Sequence, residues 1–268
     1  MATVDPTARV ADGAVLGNNV GVGPYCIIGP QVTLGDGVRL VAHVHITGHT
    51  SVGPRTVVYP FASLGTPPQS VKYKGGPTRL VIGADCDIRE NVTMNIGTED
   101  DRRITEVGDR CFLMAGSHVA HDCKVGNGVT FANNVVLGGH VSVGDNVMLG
   151  GQAAVRQWVR IGESAMIVGL AGVRADIIPF GTAQGPLADL IGLNVVGLRR
   201  QGQSKADIHE VRRAYQAMFF GAGTFRERFE QVAQATSGHP LVGKIVEFVR
   251  AGKRPLTMAV HRGEEESP

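Results

Sequence analysis

Three of the chain's nine histidines stand near a carboxylate: His118, His121 and His140, with Asp122. Imidazole has an unperturbed pKa of about 6.5, which makes it the natural general base near neutral pH. An adjacent carboxylate can orient it and stabilise the imidazolium. The steps from His121 to Gly139 and from Gly139 to Gln157 are equal, and the same step leads from Asp122 to His140 and on to Trp158. A fold that stacks residues at this spacing brings two imidazoles, a carboxylate, a glycine amide and a carboxamide to one patch, with His118 close by. A glycine N–H can face a developing oxyanion because no Cβ obstructs it. Such parts suit acyl transfer, in which the base deprotonates a hydroxyl or amine that attacks a thioester carbonyl. The chain has no GxSxG motif, and no serine or cysteine nucleophile is needed. His118, His121 and His140 are also a conceivable zinc set. A metal would leave the loops and the C-terminal segment without a role, so none is expected.

The element that must position these residues is a repeat. An aliphatic or bulky apolar residue recurs every six positions from Val4 to Leu64, from Ile82 to Met94 and from Val107 to Val173, in runs of 11, 3 and 12, 26 in all. Three such periods make up the step from His121 to Gly139. Gly often follows the apolar residue, as at Gly17, Gly35, Gly126 and Gly144, and a small or β-branched residue tends to stand four positions after it. Neither a helix nor an alternating strand has period six. A short strand followed by a sharp turn does, with the aliphatic inward and Gly or Asn at the turn. Stacked coils then share a continuous apolar column. Cys26, Cys86, Cys111 and Cys123 all fall at the small inward slot and read as buried hydrophobes.

The two breaks in the repeat, near 66–80 and 97–106, read as loops ejected from the stack, where function concentrates. The period ends near Ile178. We expect the β-helix over 1–185, and a linker with an α-helical cap over 186–268. Ser204 should cap a helix carrying Ile208, Val211, Tyr215, Met218 and Phe219. Thr224 and Glu227 form a capping box before Phe225, Phe229 and Val232. Pro240 should open a third helix that ends at Gly252. The tail GEEESP is expected to be disordered.

A net charge of +2 gives no global signature of a nucleic-acid binder. The N-terminus lacks a signal-peptide pattern and no apolar run is long enough to span a membrane, so a cytoplasmic protein is expected.

The repeat is similar to that of the hexapeptide acyltransferases, which implies a left-handed parallel β-helix with three hexapeptides per coil and about nine coils here. HVAHDCKVGN at 118–127 resembles the signature of the UDP-N-acetylglucosamine acyltransferases, which open lipid A synthesis. So do GPYCIIGP at 23–30, VKYKGGPTR at 71–79, ANNVVLGGHVSV at 132–143, AQG at 183–185 and NVVGLRRQG at 194–202. The resemblance spans nearly the whole chain. It implies His121 as general base, Asp122 as its support and Gly139 as oxyanion donor. Lys72, His118, His140, Gln157, Asn194 and Arg200 would contact the nucleotide-sugar. Gly169 would be the acyl-chain ruler, its glycine leaving room for a longer 3-hydroxyacyl chain. Acyl carrier protein would be partner and co-substrate, no cofactor is implied, and the assembly would be a homotrimer with clefts between subunits.

Four positions depart from the family pattern: Ser70 and Val196 where acids are usual, Arg156 for a histidine and Gln201 for an arginine. They keep open a second acceptor, the 3-amino analogue of the sugar, giving an amide rather than an ester. Arg199, Arg200, Lys205, Arg212 and Arg213 are either a solvated face or a landing site for an acidic carrier. A zinc hydratase and a non-catalytic scaffold are the remaining alternatives.

Overall fold

The computed structural model describes residues 1–236 and 238–260; the tail expected to be disordered lies outside them. Each of the 26 recurring apolar positions sits on its own short strand. With the two strands of a C-terminal hairpin, Gly181–Gln184 and Asp189–Leu193, they stack into sheets of 11, 9 and 8 members, one hexapeptide per sheet per coil. The result is a left-handed parallel β-helix in the shape of a triangular prism. Partners in neighbouring coils are three hexapeptides apart, as in Thr130 with Met148 and Val136 with Ala154. From Val22 onward the recurring side chains, and all four cysteines, lie in a narrow buried core, with Val10 and Leu16 partly buried against its end and Val4 exposed.

The prism corners are tight. Corner residues take a left-handed backbone, with φ of 58° at Asp122, 64° at His140 and 70° at Trp158. Such angles disfavour residues with a Cβ. Coil-to-coil hydrogen bonds hold them: His140 N–H donates to His121 O at 2.9 Å and Trp158 N–H to Gly139 O at 3.1 Å.

Both loops leave the prism at this same corner. Val57 pairs with Asp87, five hexapeptides on rather than three, so the first loop inserts the length of two hexapeptides. Thr93 pairs with His118, where three hexapeptides would lead only to Cys111, so the second loop is a shorter insertion. The loops are joined through Glu99, whose carboxylate accepts the Gly76 N–H at 2.5 Å and the Lys74 N–H at 3.2 Å.

The last coil carries an antiparallel hairpin, Gly181–Gln184 with Asp189–Leu193, and a short helix α1, Val195–Arg200. The sequence suggests little more than a linker here, because this segment follows neither a period of six nor a long helical one. Helices α2 (Lys205–Phe219), α3 (Phe225–Ala235) and α4 (Pro240–Arg250) follow. Their N-caps are Ser204, Thr224 with its capping box, and His239 ahead of Pro240. Val211, Met218, Phe229 and Ile245 pack with Ile178, Phe180 and Leu190, so the cap closes the end of the prism. Arg160 ties the two together: it pairs with buried Asp176 at 2.8 Å and donates to Phe248 O at 3.1 Å.

Candidate active site

The turn between strands His118–Val119 and Lys124–Val125 carries His121 and Asp122. His121 Nδ1 lies 2.9 Å from Asp122 Oδ2, and the carboxylate is fully buried. Asp122 also accepts the Thr98 N–H at 3.0 Å and its hydroxyl at 2.6 Å. Burial pushes the Asp122 carboxyl up, but the bonds from His121 and Thr98 outweigh it and leave it below the ordinary carboxylate range. Asp122 is therefore a fixed anion behind the imidazole. Its own N–H donates to Thr105 Oγ1 at 2.9 Å, which anchors the strained corner.

One coil on, the Gly139 backbone lies against the His121 ring. An added Cβ there would fall 2.5 Å from Cε1. His118 Nδ1 meets Thr93 Oγ1 at 2.7 Å. Burial, and then the neighbouring His121, depress the His118 pKa. His140 stacks on Trp158 with ring centroids 3.7 Å apart and contacts the His121 ring edge-on at 4.9 Å. A groove of about 510 Å³ runs past His118, His121, Gly139, Arg156 and Gln157, with Gln69 of the first loop on its wall.

Thus His118, His121, Asp122, Gly139, His140 and Gln157 gather at one corner. Lys72 is exposed on the first loop, which leaves the prism at that corner. Three other expected residues stand elsewhere on the same chain. Gly169 lies on the corner after strand Met166–Ile167, and Asn194 bonds to Ser164 on the third corner. Gly169 stands two coils and two hexapeptides beyond His121, so the repeat turns it to a different edge. Asn194 caps α1 by accepting the Gly197 N–H at 2.9 Å, and Arg200 stands exposed on α1's last turn. Of the unusual positions, Arg156 lines the groove, Ser70 Oγ accepts the Lys72 N–H, Gln201 pairs with Ser164 Oγ at 2.8 Å, and Val196 is exposed.

Sequence reasoning missed Gln69, Asn95, Thr98 and Asp101. All but Asn95 lie on loops, where the three-hexapeptide interval fails; with the second insertion removed, Asn95 falls one coil before Ala120. Asn95 Nδ2 donates to Thr66 Oγ1 at 3.0 Å and Pro67 O at 3.1 Å, while its buried Oδ1 has no hydrogen-bond partner among the described residues.

Prism, paired imidazole and carboxylate, and adjoining glycine define a hexapeptide-repeat acyltransferase. Residues 13–48 and 104–139 match the family of bacterial transferase hexapeptides, and 176–257 match domain 2 of UDP N-acetylglucosamine O-acyltransferase. The chain is 60% identical to an acyl-[acyl-carrier-protein]--UDP-N-acetylglucosamine O-acyltransferase of Azorhizobium caulinodans, over 96% of this chain and 95% of that one. Its fold matches a crystal structure of UDP-N-acetylglucosamine acyltransferase with a TM-score of 0.93 at 37% identity, covering 97% of this chain and 100% of the other. The Campylobacter jejuni enzyme of the same name gives 0.89 at 33%, with 97% and 100% covered. The chain belongs to the UDP-N-acetylglucosamine O-acyltransferase family.

Proposed function

We propose that this chain moves a 3-hydroxyacyl group from acyl carrier protein to the 3-hydroxyl of UDP-N-acetylglucosamine, the first step of lipid A biosynthesis. The observation that carries it is the His121–Asp122 pair pressed against Gly139 beside an open groove. His121 Nε2 takes the proton of the sugar hydroxyl as its oxygen attacks the thioester carbon. Asp122 holds Nδ1–H and stabilises the imidazolium. The Gly139 N–H faces the oxyanion of the tetrahedral intermediate. Collapse breaks the carbon–sulfur bond, and the departing thiolate takes the proton from His121. His118, His140, Gln157 and Lys72 contact the nucleotide-sugar from this corner. The O-acyltransferase names of the relatives favour the hydroxyl acceptor over the amine.

Asn194, Arg200 and Gly169 serve the same reaction in a homotrimer, where the corner bearing His121 faces a neighbouring subunit. Their positions on other corners of one chain support that arrangement. Arg212 and Arg213, with His209, Tyr215 and Phe220, line a cleft of about 840 Å³ between the hairpin and α2. This cleft supplies the cationic surface for the acidic carrier. Cytoplasmic placement belongs to the same reading and is supported by four free cysteine thiols.

The test offers 3-hydroxyacyl carrier proteins with UDP-N-acetylglucosamine and its 3-amino analogue side by side. Ester formation that His121→Ala lowers by about 100-fold or more is expected. Turnover of the amine alone would make the enzyme an N-acyltransferase, and no turnover of either sugar would overturn the assignment.

A further inference from the structure

A second imidazole–carboxylate pair stands beside the first, and the transfer scheme above gives its carboxylate no part. His140 Nδ1 lies 2.6 Å from Oδ2 of Asp101, on the second ejected loop. The ring is held in plane by Trp158, the two rings being inclined by only 4°. The same Nδ1 is 3.9 Å from Asp122 Oδ2, the oxygen that sits 2.9 Å from His121 Nδ1. Two imidazoles thus face one buried carboxylate oxygen, which already accepts the Thr98 hydroxyl and N–H.

We propose that Asp101 is a positioning residue: by engaging His140 Nδ1, it reserves Asp122 for His121. This inference rests on the acyl-transfer reading. Without the Asp101 carboxylate, Asp122 Oδ2 becomes the nearby acceptor for His140 Nδ1–H, a small ring movement away. The two imidazoles then share one oxygen, and the His121 imidazolium loses part of its stabilisation. The ionisable groups around the pair are His118, His140, Asp101 and Arg102, whose guanidinium donates to Cys123 O at 3.4 Å and pairs with Glu106.

Four variants of the full chain test this: Asp101→Ala, Asp101→Glu, His140→Gln and the double variant that combines Asp101→Ala with His140→Gln. Asp101→Ala should lower kcat about 10-fold, with the KM for the carrier within about 2-fold and any rise in the sugar KM no larger than that of His140→Gln. In the His140→Gln background the competing imidazole is gone, so adding Asp101→Ala should leave kcat unchanged. Asp101→Glu should restore part of the rate. A double variant markedly slower than His140→Gln alone would overturn the proposal, because Asp101 would then act without His140. Imidazole proton NMR reads the same contact without turnover: the His121 Nδ1–H resonance should shift in Asp101→Ala and return in the double variant. An unmoved resonance also overturns the proposal, whereas a moved one in a chain with no transferase activity would mean that only the acyl-transfer reading had failed.

Discussion

A Cβ built on Gly139 falls 2.5 Å from Cε1 and 2.7 Å from Nε2 of His121. The clash would be between adjacent coils, where the hydrogen-bonded stack leaves neither backbone room to retreat. Gly139→Ala is therefore expected to displace the imidazole and to cut kcat by about 100-fold or more. Thermal unfolding should show the prism intact. Steady-state kinetics alongside a melting curve checks both halves, and near-normal turnover would remove Gly139 from the reaction.

Thr98 supplies Asp122 with a hydroxyl bond at 2.6 Å besides its N–H. Thr98→Val keeps the shape and removes only the hydroxyl. A hydrogen bond to a charged group contributes about 1.5–3 kcal/mol, so transfer should slow by about 10-fold or more. The comparison to make is kcat against KM, with the loss falling on kcat.

His118 is half-buried next to His121, and both its partial burial and that neighbour depress its pKa in the folded chain. The unfolded chain therefore binds more protons as pH falls through the ordinary histidine value of about 6.5. Stability that is complete above that value is lost as pH drops towards the folded pKa. His118→Gln should flatten this dependence. Denaturant midpoints at about pH 7.5 and about pH 5.5 measure it, and equal slopes for the two proteins would exclude His118 as the source.

The cleft bearing Arg212 and Arg213 makes a salt-sensitive prediction. Replacing both arginines by glutamate should raise the KM for acyl carrier protein and leave that for the nucleotide-sugar near its original value. The difference should shrink as ionic strength rises. Unchanged carrier KM at low salt would move the docking surface elsewhere.

Gly169 places its Cα beside Gly151, where an added Cβ would sit 3.1 Å from the Gly151 carbonyl oxygen. A longer side chain must therefore project outward from the corner, into the space assigned to the acyl chain. Gly169→Met should shift preference towards shorter 3-hydroxyacyl carriers, as competition between carriers of different length would show. An unaltered preference would remove the ruler from this corner.

The sequence by itself determined the prism. A six-residue spacing of Val, Leu and Ile with small residues between them has one compact solution, in which each short strand shares its core with the coils on either side. That same spacing turned linear intervals of three hexapeptides into contacts, so His121 with Gly139 and Asp122 with His140 were legible without coordinates. The helix caps at Ser204 and Thr224 were legible too, because side-chain capping acts within a few residues. Only the tertiary structure decided what the insertions do. Both loops open at the corner that carries His121, and through Thr98 and Asp101 the second loop reaches the two imidazole–carboxylate pairs. No periodicity governs those residues, so their partners depend on how the ejected chain folds back. The structure likewise decided that Gly169 and Asn194 stand on other corners of the same chain. Position along a coil sets which edge a residue occupies, and membership of one motif set does not.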